Sequence, residues 1–439
     1  MNSPVNPGAK QRSIPARHVL AVVIGNGLEF YDFLSYAIFA VYIGRAFFPS
    51  HDASASLLLS LGTFGIGFVT RPIGGIVLGS LGDRIGRKPV MLLSFLMMGA
   101  GMLGLALTPT YAQIGIAAPI LVLLFRLVQG FALGGEVGPT TAYLIEAAPP
   151  EHRGFYGSMQ YVSQQIAVLV ASLVGLALSD LLAPAALESW GWRIAFLLGV
   201  VIVPFGILIR KSLPETLHAA DDAALAPDAT TGEISFHQKI KPYTALVVFG
   251  LLLLTSGTIG TYVTNYMTTF SLHTLHLTAQ VAFGVTVVTS ICSIICEPLS
   301  GRLSDRFGRR PVMIVPGIVT LLLILPTFWI ITHYPSALTL YVFMGLLSIP
   351  FTMAMVPVII ALTESLPVRI RSGTVATVYA FAISIFGGST QFVITWLMRW
   401  TGSPMAPAFY WTGAMAMGLF VMFLIPESAP SKTAKTPLD

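Results

Sequence analysis

Apolar residues run in stretches of about twenty, parted by short polar breaks. That is the length an α-helix needs to cross the hydrocarbon core of a bilayer. Twelve such segments can be read. The first six lie at about 19–47, 56–80, 89–108, 116–145, 155–180 and 192–212. The second six lie at about 243–271, 279–300, 311–332, 337–363, 373–399 and 406–426. Alternating segments of roughly ten residues, the mark of a membrane barrel, are missing. The longest polar break, Leu213–Lys241, holds Asp221, Asp222 and Pro227 and reads as a linker. The pattern predicts an all-α membrane protein with twelve transmembrane helices. Its parts are a leader over 1–18, a six-helix set over 19–212, the linker over 213–241, a second set over 242–427 and a tail over 428–439.

Composition narrows the class. Only 10% of the 439 residues are charged and the mean hydropathy is +0.80, against roughly 25% charged in soluble domains, which excludes a water-soluble enzyme. The net charge of +5 suits nucleic acid only until the basic residues are placed. Nineteen of the 24 Lys and Arg fall in the leader, the tail and alternate loops; Arg45, Arg193 and Arg399 fall on the other side, and Arg71 and Arg126 lie within spans. This split predicts an even number of helices with both termini in the cytoplasm, in the cell membrane, and no nucleic-acid partner. Met1–Arg17 lacks a small-residue cleavage pattern, so the first span is expected to stay as a helix. Cys292 and Cys296 read as packing residues, and His273 with His276 as solvated side chains too few for a metal. No metal or cofactor is expected. The phosphate loop G-x-x-x-x-G-K-[ST] is missing, as are H-E-x-x-H and G-x-S-x-G, so neither direct ATP drive nor enzymatic chemistry is indicated.

The chain also repeats. GSLGDRIGRK at Gly79–Lys88 returns as GRLSDRFGRR at Gly301–Arg310, each between two apolar runs. Glu146 and Glu364 end the fourth and tenth spans, each followed by Pro and an Arg-containing turn that includes Arg153 or Arg371. Pro214-Glu215-Thr216 after span six answers Pro426-Glu427-Ser428 after span twelve. Three paired landmarks at similar offsets indicate a duplicated half. In each loop copy, Gly79 with Gly86, or Gly301 with Gly308, breaks the chain. Asp83 and Asp305 are placed to face a neighbouring helix N-terminus and latch a gate by charge–dipole attraction. Arg84, Arg87, Lys88, Arg306, Arg309 and Arg310 also set topology.

Charges inside spans are costly and functional by default. Span one carries Glu29 and Asp32 on one face, with Asn26 a turn away. Span four carries Arg126 at a similar depth, and we expect it to pair with Asp32 or Glu29, to grip an anionic substrate, or both. Carboxyls that gain and lose an Arg partner can load and release a proton; a purely structural ion pair is the alternative. Glu136 in span four and Glu297 in span eight, before Pro298, are further acids with either a proton-exchanging or a structural role. Arg71, before Pro72, guides substrate or pairs structurally. Gly130, Gly134 and Gly138 predict a smooth packing stripe. In the second half Tyr262, Asn265, Tyr266 and Gln391 offer neutral donors to carboxylates, beside the blander reading of a polar helix interface.

The paired loop motif resembles that of the major facilitator superfamily, between its second and third and its eighth and ninth helices. The resemblance implies two six-helix bundles that rock about a central site. It also implies a gating role for the motif's Asp and Arg together with Glu146. Gly25-Asn26…Glu29…Asp32-Phe33, Arg71-Pro72-Ile73-Gly74, Arg126…Gln129-Gly130…Gly135-Glu136 and Ser163-Gln164-Gln165 are similar to the metabolite:proton symporters. IGIAAPILVLLFRLVQGF, SQQIAVLVASLVG, WGWRIAFLLG and ALTESLPVRIRSG are most like the citrate and tricarballylate carriers of that branch. What this implies is a monomeric, proton-coupled carrier of a small carboxylate in the bilayer, with Gln129, Gln164 and Gln165 among its substrate residues. Pro139-Thr140-Thr141 and the polar set of span seven depart from the citrate carriers. Carriers of proline or betaine, α-ketoglutarate or shikimate therefore stay open as readings, as does a membrane sensor without net flux.

Overall fold

A backbone group in hydrocarbon has no water to bond, so an apolar run must close its own hydrogen bonds as a helix. In a computed structural model, which describes residues 16–85, 87–134, 148–211, 243–366 and 368–433, the apolar runs are helical, and no strand occurs among the described residues. The first six helices are α1 (Ala16–Ile38), α2 (Ala53–Ile85), α3 (Arg87–Leu107), α4 (Ala117–Leu133), α5 (Arg153–Leu181) and α6 (Trp192–Lys211). The second six are α7 (Thr244–Asn265), α8 (Ala279–Phe307), α9 (Arg309–His333), α10 (Ala337–Ser365), α11 and α12 (Ala406–Leu424). Helix α11 runs from Val368–Ala382 through a π turn at Ile383–Gly387 into Gly388–Thr401. Short helices, Ala40–Phe47 and Met267–His273, extend α1 and α7. The expected leader over 1–15, linker over 213–241 and the last six residues of the tail lie outside the described residues.

Eight of these helices are long and apolar enough to cross a membrane, and Leu92–Leu107 and Ala117–Leu133 are shorter apolar helices. Between 33% and 78% of each spanning window is buried, and outward positions such as Val69 and Leu322, 64% and 68% exposed, are apolar. A helix that is greasy on its exposed face has lipid rather than water as its solvent.

The span ends differ from the sequence pattern most at the second loop motif. Helix α8 runs on to Phe307 and α9 begins at Arg309, so nine of the ten motif residues are helical rather than turn. Nothing before Gly308 breaks a helix. Gly308 does so with φ +105°, a conformation that costs any residue with a Cβ.

Close packing within the first half depends on glycine. A Cβ on Gly130 would meet the Gly67 carbonyl oxygen, and one on Gly134 would meet the Arg71 carbonyl oxygen. Helices α2 and α4 thus touch backbone to backbone, while Gly138 lies outside the described residues. The obstacle is main chain, which cannot rotate away. Gly130→Ala is therefore expected to cost about 1–3 kcal/mol, read as a lower unfolding temperature of the purified protein. An unchanged temperature would show that the two helices do not pack this closely.

The halves meet along α5 against α8 and along α2 against α11. Each apolar core also borrows residues from the other half: Tyr262 and Phe283 pack with the first, and Ala40 and Leu57 with the second.

Candidate functional site

A cavity of about 80 Å³ lies between the halves. Helices α1 and α5 line it with Phe30, Leu34, Tyr161, Gln164 and Gln165, and the second half lines it with Thr258, Tyr262, Asn265, Glu297, Thr352 and Tyr379, among others. Five of the residues singled out from sequence are thereby gathered: Gln164, Gln165, Tyr262, Asn265 and Glu297. Tyr379 and Gln164 face this cavity from opposite halves.

The charges of the first half sit elsewhere. On α1, Phe30 and Leu34 are four apart and face the cavity together. Asp32, two positions from each, lies about 200° round the helix and is fully buried among helices of its own half. The expected ion pair with Arg126 is replaced by a bridge. Arg126 Nη1 donates to Gln129 Oε1 at 2.7 Å, and Gln129 Nε2 donates to Asp32 Oδ1 at 3.0 Å. The physical reason is reach: Gln129 is on the same helix as Arg126, one turn on, and fills the space between guanidinium and carboxylate. It serves as a link here, where the sequence suggested a substrate ligand. Asp32 Oδ2 and Arg126 Nε and Nη2 have no hydrogen-bond partner among the described residues.

An aromatic layer separates this relay from the cavity. The Arg126 guanidinium lies 4.8 Å from the Phe33 ring centroid and 4.6 Å from that of Tyr36. Arg71 lies 4.4 Å from Phe33 and 4.2 Å from Phe68. Phe64 and Phe68 in turn contact Tyr262, with centroids 6.2 and 5.9 Å away. Cation–π contact at this depth stabilises the Arg126 guanidinium, which reaches Asp32 only through Gln129. Tyr262 thus has one side on the cavity and the other on the layer that holds both arginines.

Two other candidates have structural partners. Asn26 Nδ2 donates to Ser163 Oγ at 2.6 Å, tying α1 to α5, and Tyr266 shares a 2.8 Å hydrogen bond with Thr395 on α11. Both residues, with Gln391, lie off the cavity lining. Gln391 is fully buried, and neither of its side-chain polar atoms has a partner among the described residues. The side chain of Glu29 and all of Glu136 lie outside the described residues.

The second loop motif forms a network at one end of the molecule. Asp305 accepts from the backbone N–H of Gly154 at 2.8 Å and of Phe155 at 3.0 Å, capping α5 from the other half. Arg309 donates to Ser304 at 2.7 Å and Asp305 at 2.8 Å, and takes Glu364 with both Nε and Nη2, at 3.0 and 2.9 Å. Glu427 accepts from the N–H groups of Arg309 and Arg310 at the start of α9, at 2.7 and 3.0 Å. Gly154 and Gly301 approach so closely that a Cβ on either would meet the other's carbonyl oxygen. Arg306 stands apart: it is exposed, over Phe307. Arg153 starts α5 beside this network. The side chains at Gly79, Asp83, Arg84, Gly86, Arg87 and Lys88, and Glu146, lie outside the described residues. At the opposite end, Arg399 pairs with Asp52 at 2.7 Å and Ser54 meets His273 at 3.2 Å, again across the halves. His273 is therefore half-buried at an interface rather than solvated. Burial first, then His276 and Arg45, hold it below the ordinary histidine range.

Tyr161, Tyr379, Glu364 and Glu427 were not singled out as site residues. For the two glutamates the signal existed, since both are repeat landmarks at span ends. For the tyrosines it did not, because nothing in an apolar run marks which aromatic faces the partner half.

Comparison with known proteins gives one answer. A sugar (and other) transporter family model matches residues 18–226, and a major facilitator superfamily model matches 252–439. A citrate-proton symporter of Klebsiella pneumoniae is 37% identical over 408 residues, covering 91% of this chain and 89% of the relative. That of Salmonella typhi is 38% identical over 401 residues, covering 91% and 92%. A putative proline/betaine transporter of Staphylococcus aureus is 33% identical over 428 residues, covering 95% and 89%. The crystal structure of a D-xylose-proton symporter superposes with a TM-score of 0.73 at 18% identity, covering 96% of this chain and 99% of that one, a likeness of fold.

Proposed function

The chain belongs to the metabolite:proton symporter family of the major facilitator superfamily, and from that premise we propose that it imports a small di- or tricarboxylate, of the citrate or tricarballylate class, together with protons. The observation that carries the reading is the buried relay Asp32–Gln129–Arg126 beside a cavity shared by both halves. A carboxyl held at one remove from a guanidinium can change its proton with small movements of α1 against α4. Those movements reach the cavity through the Phe33, Phe68 and Tyr262 rings. The similarity to citrate-proton symporters over nine-tenths of the chain supports the substrate class.

In this reading the protein works as a monomer in the bacterial inner membrane, with both termini and the Gly308 end in the cytoplasm. The Asp305 network closes the inner gate, the Asp52–Arg399 and Ser54–His273 contacts close the outer one, and rocking of the halves over 19–212 and 242–427 breaks them in turn. Gln164, Gln165, Tyr262 and Asn265 bind the substrate by neutral hydrogen bonds. Arg71 and Arg126 supply the positive field behind them.

The test is uptake of labelled citrate into proteoliposomes, with and without an inward proton gradient. Accumulation that requires the gradient and collapses with a protonophore is expected. No flux of citrate, tricarballylate or α-ketoglutarate would overturn the carboxylate reading. One observation favours a second reading, a zwitterion carrier of the proline/betaine kind. Glu297 and the rings of Tyr161, Tyr262 and Tyr379 line the cavity, and no Lys or Arg among the described residues does, which suits a cationic headgroup. The same assay with proline and betaine decides between them.

A further inference from the structure

Among the described residues, Glu297 is the one acidic side chain on the cavity wall. It is 2% exposed, and its Oε2 has no hydrogen-bond partner among the described residues. The groups that face it are neutral in the ordinary pH range. Tyr161 comes from α5, Tyr379 from α11, Thr352 from α10 and Cys296 from its own helix. Arg71 approaches the far side of Tyr262 and Tyr379 from α2, and Asp32 and Arg126 lie behind the phenylalanine layer. The acid therefore shares its cavity with the substrate and with no cationic side chain among the described residues.

We propose that Glu297 fixes the order of binding: it must take up a proton before a carboxylate can enter the cavity. This rests on the carboxylate reading above. Two like charges about 5 Å apart, in the effective dielectric of a protein site, repel strongly enough to weaken binding more than about 100-fold. An ionised Glu297 and a citrate anion exclude each other. A protonated Glu297 removes the repulsion and adds an O–H donor for a substrate oxygen. The proton on Glu297 is thus a condition of substrate entry, and Asp32 remains the acid that responds to Arg126.

The experiment measures binding of labelled citrate to the purified full-length protein at pH 6 and pH 8. Wild type is compared with Glu297→Gln and Glu297→Asp, so that the titration of citrate itself is common to all. One linked proton weakens wild-type binding by at most about tenfold per pH unit, and that weakening is expected here. Glu297→Gln is expected to bind at pH 8 nearly as well as at pH 6. Glu297→Asp is expected to keep the wild-type dependence. A monodisperse Glu297→Gln protein that keeps the wild-type pH dependence, or loses binding at both values, would overturn the proposal. A second measurement needs no variant at that position: at pH 8, tricarballylate binding to wild type should draw a proton from weakly buffered solution, reported by a pH dye. No uptake overturns the proposal. Wild type that binds betaine and no carboxylate sinks both this inference and the reading beneath it, whereas a failure confined to Glu297→Gln leaves that reading standing.

Discussion

Asp32→Asn is expected to abolish uphill accumulation while leaving exchange of substrate across the membrane intact. The substitution is nearly isosteric. The Asn side-chain oxygen can still accept from Gln129 Nε2, the 3.0 Å contact that Asp32 Oδ1 makes, so the bridge to Arg126 survives. What is lost is the charge and the ability to exchange a proton. One pH unit of gradient can drive at most about tenfold accumulation per coupled proton. A gradient of about two units thus lets a one-proton carrier approach roughly 100-fold, and an uncoupled one about 1. The measurement is the steady-state ratio of labelled citrate in proteoliposomes, alongside counterflow with no gradient. Counterflow within about threefold of wild type would show that binding and rocking persist. Undiminished accumulation would remove Asp32 from coupling.

Much of this architecture was legible because the bilayer makes it so. Each apolar run had to be a helix, and the segments at 155–180, 279–300 and 406–426 start or end within a few residues of α5, α8 and α12. The exception, the seven further residues of α8, follows from physics that an apolar pattern does not report. Arg302, Asp305 and Arg306 are good enough helix residues to extend α8 beyond its apolar stretch, and the stop is a single glycine.

The site was legible only as far as residue type. A buried Asp and a buried Arg announce function from sequence alone, but their rotation about the helix axis does not follow from it. Asp32 can satisfy its charge against the cavity or against its own bundle, and packing around Gln129 and the Phe33 ring settles it inward. The same limit hid Tyr161 and Tyr379, whose apolar bodies fit any face of α5 and α11. Glu297 lies in the opposite situation. Its type and depth were plain, and a cavity wall with no cation among the described residues became visible only once α5, α7, α10 and α11 had closed around it.

Arg309→Ala is expected to have the largest effect on stability. The guanidinium is fully buried and satisfies Ser304, Asp305 and both oxygens of Glu364 at once. Removing it leaves two carboxylates facing each other with no cation between them, a loss of about 3–5 kcal/mol for a buried network. For a domain the size of one half this lowers the unfolding temperature by about 10 °C, which a thermal scan of the purified protein reads directly. Arg309→Lys separates charge from geometry. An ammonium restores the charge but cannot form the two-pronged contact with Glu364 while also reaching Ser304 and Asp305. Lys is therefore expected to recover less than half of the loss, and full recovery would show that charge alone matters. The damage should also spread to the other half. Asp305, freed from Arg309, is the acceptor that caps Gly154 and Phe155 at the start of α5, and its hold on that helix end is set by how rigidly Arg309 positions it. An Arg309→Ala protein should consequently favour the state open on the Gly308 side, and its counterflow should become less sensitive to substrate on the opposite side.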